Sequence, residues 1–312
     1  MKVITFPAKD GYRLSGTIYE VARRTGAVRG AVLMVGAMGV SQSFYRAFCE
    51  WLAEQRLVTM TFDFRGMGRS RSGALRGLDA DVMTWAEQDA AAAVEYLAEL
   101  VPAVAVTWIG HSLGGQIYAF AMDRVAPTAA QRVKKFTYIA AGSGYWLENA
   151  APTRRRSWLF WFVLGPLLTP LFGYWPGAKL GIVGDLPRGV FYQWRRWCLN
   201  REYAVGALPE HYRALAASVA VPISAISFTD DEMMSEKNIN GLRAVYPQHA
   251  FRALRFSPES LGVDRIGHFG AFRREMREKL WARVLLPELA QGDEFCAVID
   301  VDFVAVAVAT ID

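Results

Sequence analysis

A chain of 312 residues can form one large α/β domain with an insertion, or two small domains. With 53% hydrophobic residues it can fill a sizeable core, which excludes a globally disordered protein. The formal net charge is +5, and the arginines are spread along the chain rather than gathered in a block, so no nucleic-acid partner is expected. The three cysteines, Cys49, Cys198 and Cys296, form no C-x-x-C, so neither a disulfide framework nor a metal site is indicated and a reduced, cytoplasmic setting is expected. The N-terminus meets Asp10 too early for a signal peptide, and no apolar run is long enough for a transmembrane segment.

Residues 2–6 and 12–19 alternate as two strands joined at Asp10-Gly11, a hairpin signal. The continuous apolar run 31–35 reads as a buried parallel strand and ends in Gly36-Ala37-Met38-Gly39. A helix is predicted over 44–55, where Phe44, Phe48, Trp51 and Leu52 recur at helical spacing, then a strand over 58–62 and a long helix over 80–100. Residues 104–109 form the next strand and run through Gly110-His111-Ser112-Leu113-Gly114-Gly115 into a helix reaching about Arg124; a further strand covers 136–139. Composition then changes. Residues 145–217 are rich in Trp, Pro and Arg and read as a helical insertion forming a lid. Alternation resumes with a strand at 221–228, a helix at 236–246, a strand at 251–256 and a helix at 271–285. The expected organisation is therefore a core of residues 1–144 and 218–292, a lid of 145–217, and a tail of 293–312 with no assigned role. Alternating strands and helices define an α/β fold with a parallel sheet covered on both faces, whose reactive loops lie at the carboxyl ends of the strands.

The chemistry centres on Gly110-His111-Ser112-Leu113-Gly114, a G-x-S-x-G pattern between a strand and a helix, which presents Ser112 as a nucleophile on a sharp turn. A serine hydroxyl needs a base, and the base needs an orienting acid. Of the four histidines, His111 lies inside the turn, His211 in the insertion, and His249 at the start of a strand, the wrong edge of the sheet. His268, between Gly267 and Gly270 after the last sheet strand, remains. The acid belongs past a strand end between Ser and His, which selects Asp231 with Asp230 as the alternative. Asp264 is expected to pair with a nearby arginine. An oxyanion needs two backbone N–H groups: that of Leu113 at a helix N-terminus, and one from the loop after residues 31–35, Met38 first and Ala37 as the alternative. Gly66-Met67-Gly68 lacks the third glycine of a dinucleotide loop, so it reads as a turn that Asp63 and Arg65 hold.

Arg154-Arg155-Arg156 ahead of the apolar residues 158–168 would allow weak contact with a membrane surface; the prolines and length of that run favour the core of a lid.

In its strand loop Val35-Gly36-Ala37-Met38-Gly39, in Asp63-Phe64-Arg65-Gly66-Met67-Gly68-Arg69-Ser70, in the G-x-S-x-G turn, and in Thr229-Asp230-Asp231 and Gly267-His268-Phe269, the chain resembles the alpha/beta-hydrolase superfamily over roughly residues 10–285. It looks most like bacterial hydrolases related to serine aminopeptidases and lysophospholipases. The resemblance implies a mostly parallel eight-stranded sheet, an acyl-serine intermediate and no cofactor. Many members carry His-Gly in the oxyanion loop where this chain has Val35-Gly36. The expected activity is cleavage of a carboxylic ester, or else a thioester or amide, with an apolar acyl part, esterase-like rather than aminopeptidase-like. An acyltransferase using the same acyl-serine and a non-catalytic binding protein of the same fold are the alternatives. The sequence carries no signal for an oligomeric state.

Overall fold

Strand residues that alternate in hydrophobicity serve two different faces, and the protein uses both. The computed structural model describes residues 1–21, 27–247 and 251–290. His249 and the tail 293–312 therefore lie outside the described residues.

One sheet of eight strands organises the chain. Its members are β1 (Lys2–Pro7), β2 (Arg13–Tyr19), β3 (Gly30–Val35), β4 (Leu57–Asp63), β5 (Val106–His111), β6 (Val133–Ile139), β9 (Ile223–Phe228) and β10 (Phe251–Phe256). They lie in the order β1-β2-β4-β3-β5-β6-β9-β10. β2 pairs antiparallel with β1 and β4, and every other pairing is parallel. A second, two-stranded sheet joins β7 (Tyr174–Pro176) to β8 (Asp185–Pro187) within the segment between β6 and β9.

The turn joining β1 to β2 is the expected one. Gly11 takes φ +86°, and Asp10 Oδ1 accepts the Tyr12 N–H at 3.2 Å, closing the turn with a local side-chain bond. In β3, Ala31, Leu33 and Val35 pack on one face of the sheet while Val32 and Met34 pack on the other. The first face receives the helix Ala91–Leu100 and the aromatic residues Trp85, Trp175 and Phe191. The second receives Phe48, Cys49, Trp51 and Leu52 of the helix Arg46–Glu54, against Leu280, Trp281, Val284 and Leu285 near the C-terminal end of the described chain. A sheet buried on both faces needs continuous apolar strands, which is why β3 is buried at every position.

Three helices depart from simple expectation. The helical run from Val82 to Leu100 is N-capped by Asp81 and widens into π turns over Trp85–Ala90, where buried Asp89 meets Arg65. The helix after Ser112 is interrupted at Ile117, giving Leu113–Gln116 and Tyr118–Met122. The predicted helix 271–285 begins as two short 3-10 turns, Gly270–Phe272 and Arg274–Met276, before the wide helical segment Arg277–Leu285.

The largest correction concerns the apolar run 158–168, expected as a lid core. Trp161 and Gly165 are buried, but Trp158, Leu159, Phe162, Val163 and Leu167 are exposed. Helical backbone continues from Ala151 to Phe172 with Pro166 and Pro170 inside it. Pro166 cannot donate to the residue four before it, Phe162, and that residue sits in the wide turn Phe160–Leu164, where the regular ladder is already relaxed.

Candidate functional site

The tight turn after β5 is built from close backbone contacts. Ser112 has φ 50° and ψ −111°, a conformation that a side-chain-bearing residue adopts only when its surroundings over-determine it. The surroundings are the glycines. A Cβ on Gly110 would lie 2.3 Å from the Gly114 carbonyl oxygen, and one on Gly114 would lie 2.2 Å from that of Val35. The Ser112 N–H donates to the Ile139 carbonyl at 3.1 Å, and Trp108 Nε1 donates to the Gly114 carbonyl at 2.9 Å, so strand and helix are tied on both sides of the nucleophile. Leu113 opens the following helix, so its N–H has no intrahelical partner.

His268 stands at the same edge of the sheet. Its Nδ1 lies 2.9 Å from Asp231 Oδ2 and 3.2 Å from Oδ1, and both side chains are 1% exposed. The structure thus brings Asp231 rather than Asp230 to the ring. Asp230 does other work: its Oδ2 accepts the N–H groups of Ile266 (2.8 Å) and Gly267 (3.1 Å). Glu232 completes a run of three acids on one loop, its Oε2 accepting the His268 N–H at 3.1 Å and pairing with Arg265 at 3.4 Å. Gly267 is required here, with φ +62° and with a Cβ position 2.6 Å from that same Glu232 oxygen. Arg265 is therefore committed to Glu232, and the expected pairing of Asp264 with an arginine does not occur among the described residues.

Ser112 is 8% exposed and makes no hydrogen bond to His268 among the described residues. Hydrogen bonds of this kind are commonly long before substrate arrives and tighten in the complex.

Across from Ser112, the loop after β3 distinguishes the two donors proposed from sequence. The Ala37 N–H donates to Tyr45 Oη at 2.8 Å, so it is already committed. The Met38 N–H has no partner among the described residues. Tyr45 Oη also lies 2.8 Å from His111 Nδ1, and His111 Nε2 lies 3.0 Å from the His268 carbonyl oxygen. A carbonyl can only accept, so Nε2 carries the proton and Nδ1 accepts the tyrosine O–H. Burial, and then the neighbouring His268, hold His111 well below the ordinary histidine range, which keeps it neutral. His211, in contrast, is exposed in the insertion beside Tyr212.

Asp63 and Arg65 hold turns, as the sequence suggests. Asp63 Oδ1 accepts the Gln42 N–H, and its Oδ2 accepts Gln42 Nε2 and the Arg69 N–H. A Cβ on Gly68 would meet that carboxylate at 2.3 Å, so the glycine spacing serves the turn.

Sequence reasoning missed Tyr45, Glu232 and the tie of Asp230 to the His268 loop. Glu232 is adjacent to the chosen acid and could have been flagged from the Asp230-Asp231-Glu232 run. Tyr45 had no local signal, because its partner His111 is 66 residues away.

An eight-stranded, mostly parallel sheet in which β2 runs antiparallel to its neighbours, with a serine turn after β5, is the alpha/beta-hydrolase fold. Residues 26–168 match the family described as serine aminopeptidase, S33. Among solved structures, a soluble variant of monoglyceride lipase from Saccharomyces cerevisiae aligns with TM-score 0.57 at 16% identity, over 82% of this chain and 85% of the other. The Pyrococcus furiosus esterase Pf2001 aligns with TM-score 0.55 at 15% identity, over 91% and 88%. A bacterial membrane phospholipase A aligns with TM-score 0.56 at 16% identity, over 93% and 87%. No curated relative matches the chain by sequence.

Proposed function

We propose that the protein is a serine hydrolase that cleaves a carboxylic ester with an apolar acyl group through an acyl-Ser112 intermediate. The observation that carries this reading is the buried Asp231–His268 pair at the strand edge where Ser112 is held in its strained turn. Ser112 Oγ attacks the ester carbonyl carbon while His268 Nε2 takes its proton. Asp231 keeps the ring oriented with the proton on Nδ1 and stabilises the imidazolium that forms. The N–H groups of Leu113 and Met38 receive the charge developing on the carbonyl oxygen, and the committed amide of Ala37 favours Met38 for that role. The bond to the leaving alcohol then breaks as His268 returns the proton to it. Water, deprotonated by the same ring, attacks the acyl-serine, and the acid leaves as Ser112 regains its hydrogen.

Residues 145–217 act as a lid over this centre and bound the acyl group. The names of the lipase and esterase neighbours support an ester over an amide.

The test is a panel of p-nitrophenyl acyl esters and aminoacyl amides with the wild type and Ser112→Ala, together with a fluorophosphonate label. Turnover of the acyl esters is expected to fall by at least about three orders of magnitude in the variant, with the label on Ser112 alone. Retained turnover in the variant, or a label on another serine, overturns the reading.

A further inference from the structure

The segment between β6 and β9 carries a surface that ester hydrolysis does not use. Along the helical run from Ala151 to Phe172, the buried positions are Ser157, Trp161, Gly165 and Thr169. A four-residue repeat drifts by about 40° per step in a helix of 3.6 residues per turn. The wide turn Phe160–Leu164 takes up that drift and keeps one side of the run against the protein. The other side is apolar and faces outward, with Trp158, Leu159, Phe162, Val163, Leu167 and Leu171 exposed, the last two to 62% and 65%. The loop between β7 and β8 adds exposed Leu180 and Ile182, and it lies beside the end of the run, where Lys179 Nζ sits 5.6 Å from the Phe172 ring centre.

Charge surrounds this stripe with one sign. Residues 151–200 contain seven basic residues and a single acid, Asp185, which pairs with Arg71. Arg154, Arg155 and Arg156 are exposed at the start of the helix with no ion-pair partner among the described residues. The Arg195 guanidinium lies 5.6 Å from the Phe162 ring centre, and Lys179 sits at the far end. A helix that presents Trp, Phe and Leu outward between cations is built to lie in the plane of a membrane interface. A second copy would set these cations against their own kind, which opposes self-association.

We propose that this face docks the protein onto an anionic lipid bilayer. Docking is independent of the chemistry at Ser112, but the two are adjacent in the fold. A Cβ on Gly39, in the loop that carries Met38, would lie 2.5 Å from the Gly184 backbone nitrogen, so the β7–β8 loop is the wall shared by the docking face and the candidate oxyanion loop. On the hydrolase reading, an ester drawn from the bilayer would enter past that wall.

The test is flotation of the full chain with vesicles of phosphatidylcholine alone and of phosphatidylcholine mixed with phosphatidylglycerol, at low and high salt. Wild type is expected to float with the anionic vesicles, less at high salt, and at least about tenfold less with neutral ones. Replacing Arg154, Arg155 and Arg156 together by Gln is expected to lower partitioning about 100-fold. Leu167→Ser with Leu171→Ser removes only exposed side chains and is expected to lower it at constant charge. Ser112→Ala is expected to float like wild type, so failure of the hydrolase assignment leaves this result standing. The proposal is overturned if wild type floats with neither vesicle, if both surface variants float like wild type, or if wild type is a dimer in solution that the leucine substitutions dissociate.

Discussion

His111 Nε2 donates to the backbone carbonyl of His268 at 3.0 Å, so the residue preceding the candidate nucleophile holds the loop that carries the candidate base. The bond continues through Tyr45 to the Ala37 amide, making one directed series from the oxyanion loop to the histidine loop: Ala37 N–H to Tyr45 Oη, Tyr45 O–H to His111 Nδ1, His111 Nε2–H to His268. Every member is buried, so each unmet group would cost about 1–3 kcal/mol. Tyr45→Phe strands both the Ala37 N–H and His111 Nδ1.

This relay predicts a graded kinetic series. His111→Gln retains a donor for the His268 carbonyl, whereas His111→Phe does not. We expect kcat for a p-nitrophenyl ester to fall modestly in the first and about 10- to 100-fold in the second, with KM nearly unchanged, because misplacing a catalytic group by about 1 Å costs that much. Steady-state kinetics alongside thermal denaturation separate the roles. A His111→Phe enzyme that melts earlier but keeps its kcat would make the relay purely structural.

A pH effect on stability follows from the same residue. The folded state holds His111 well below its unfolded range near 6.5, so below that pH the unfolded chain takes up a proton that the native chain refuses. The unfolded state then binds more protons, and stability is lost as pH falls, with a slope approaching about 1.4 kcal/mol per pH unit. Asp89 acts in the opposite sense: burial pushes its carboxyl up to about 6, so the native state gains a proton first between the ordinary carboxylate range and that value. Urea denaturation of wild type and His111→Gln at pH 7, 6 and 5 isolates the histidine, because Asp89 is common to both. The stability difference should move in favour of the variant as pH falls, and a constant difference would contradict it.

The fold was legible because period-two and continuous apolar runs are direct consequences of a sheet buried on both faces; β3 could be read to within one residue, whereas β5 runs from Val106 to His111, two residues later than its apolar run suggests. The candidate centre was legible for a different reason. Ser112, Asp231 and His268 each sit just past a strand end in a chain with four histidines, so elimination had few options. What escaped were contacts between distant segments and the direction of a helix face. Tyr45 and His111 meet only because β3 and β5 are neighbours. The run 158–168 is apolar enough for a core, and its exposure depends on a wide turn that no residue spacing announces.

The ion pair beneath the Gly66–Gly68 turn is a separate test of what holds the site's scaffold. Arg65 contacts Asp89 at 2.6 Å and Asp10 at 2.6 Å, but the Asp89 side chain is fully buried while that of Asp10 is 42% exposed. Breaking a buried pair leaves a charge without compensation, so Asp89→Ala is expected to cost about 3–5 kcal/mol. Asp10→Ala, screened by solvent, should cost no more than about 1 kcal/mol. Urea midpoints at neutral pH measure both, and equal losses would show that burial does not set the scale here.

The strain at Ser112 sets the last expectation. Its φ of 50° with ψ −111° lies where glycine is at ease and other residues are not, a conformation costing about 1–3 kcal/mol. Ser112→Gly removes that strain but also gives the unfolded chain more freedom, which takes back about 0.4–1 kcal/mol. The net gain over Ser112→Ala, which keeps the Cβ and therefore the strain, should be on the order of 1 kcal/mol. Denaturation of the two inactive variants side by side tests this without reference to activity. If Ser112→Gly is the less stable of the two, the turn is held by its glycine neighbours at no cost to the serine, and the rate advantage of a pre-formed nucleophile must be sought in the hydrogen bonds around His268 instead.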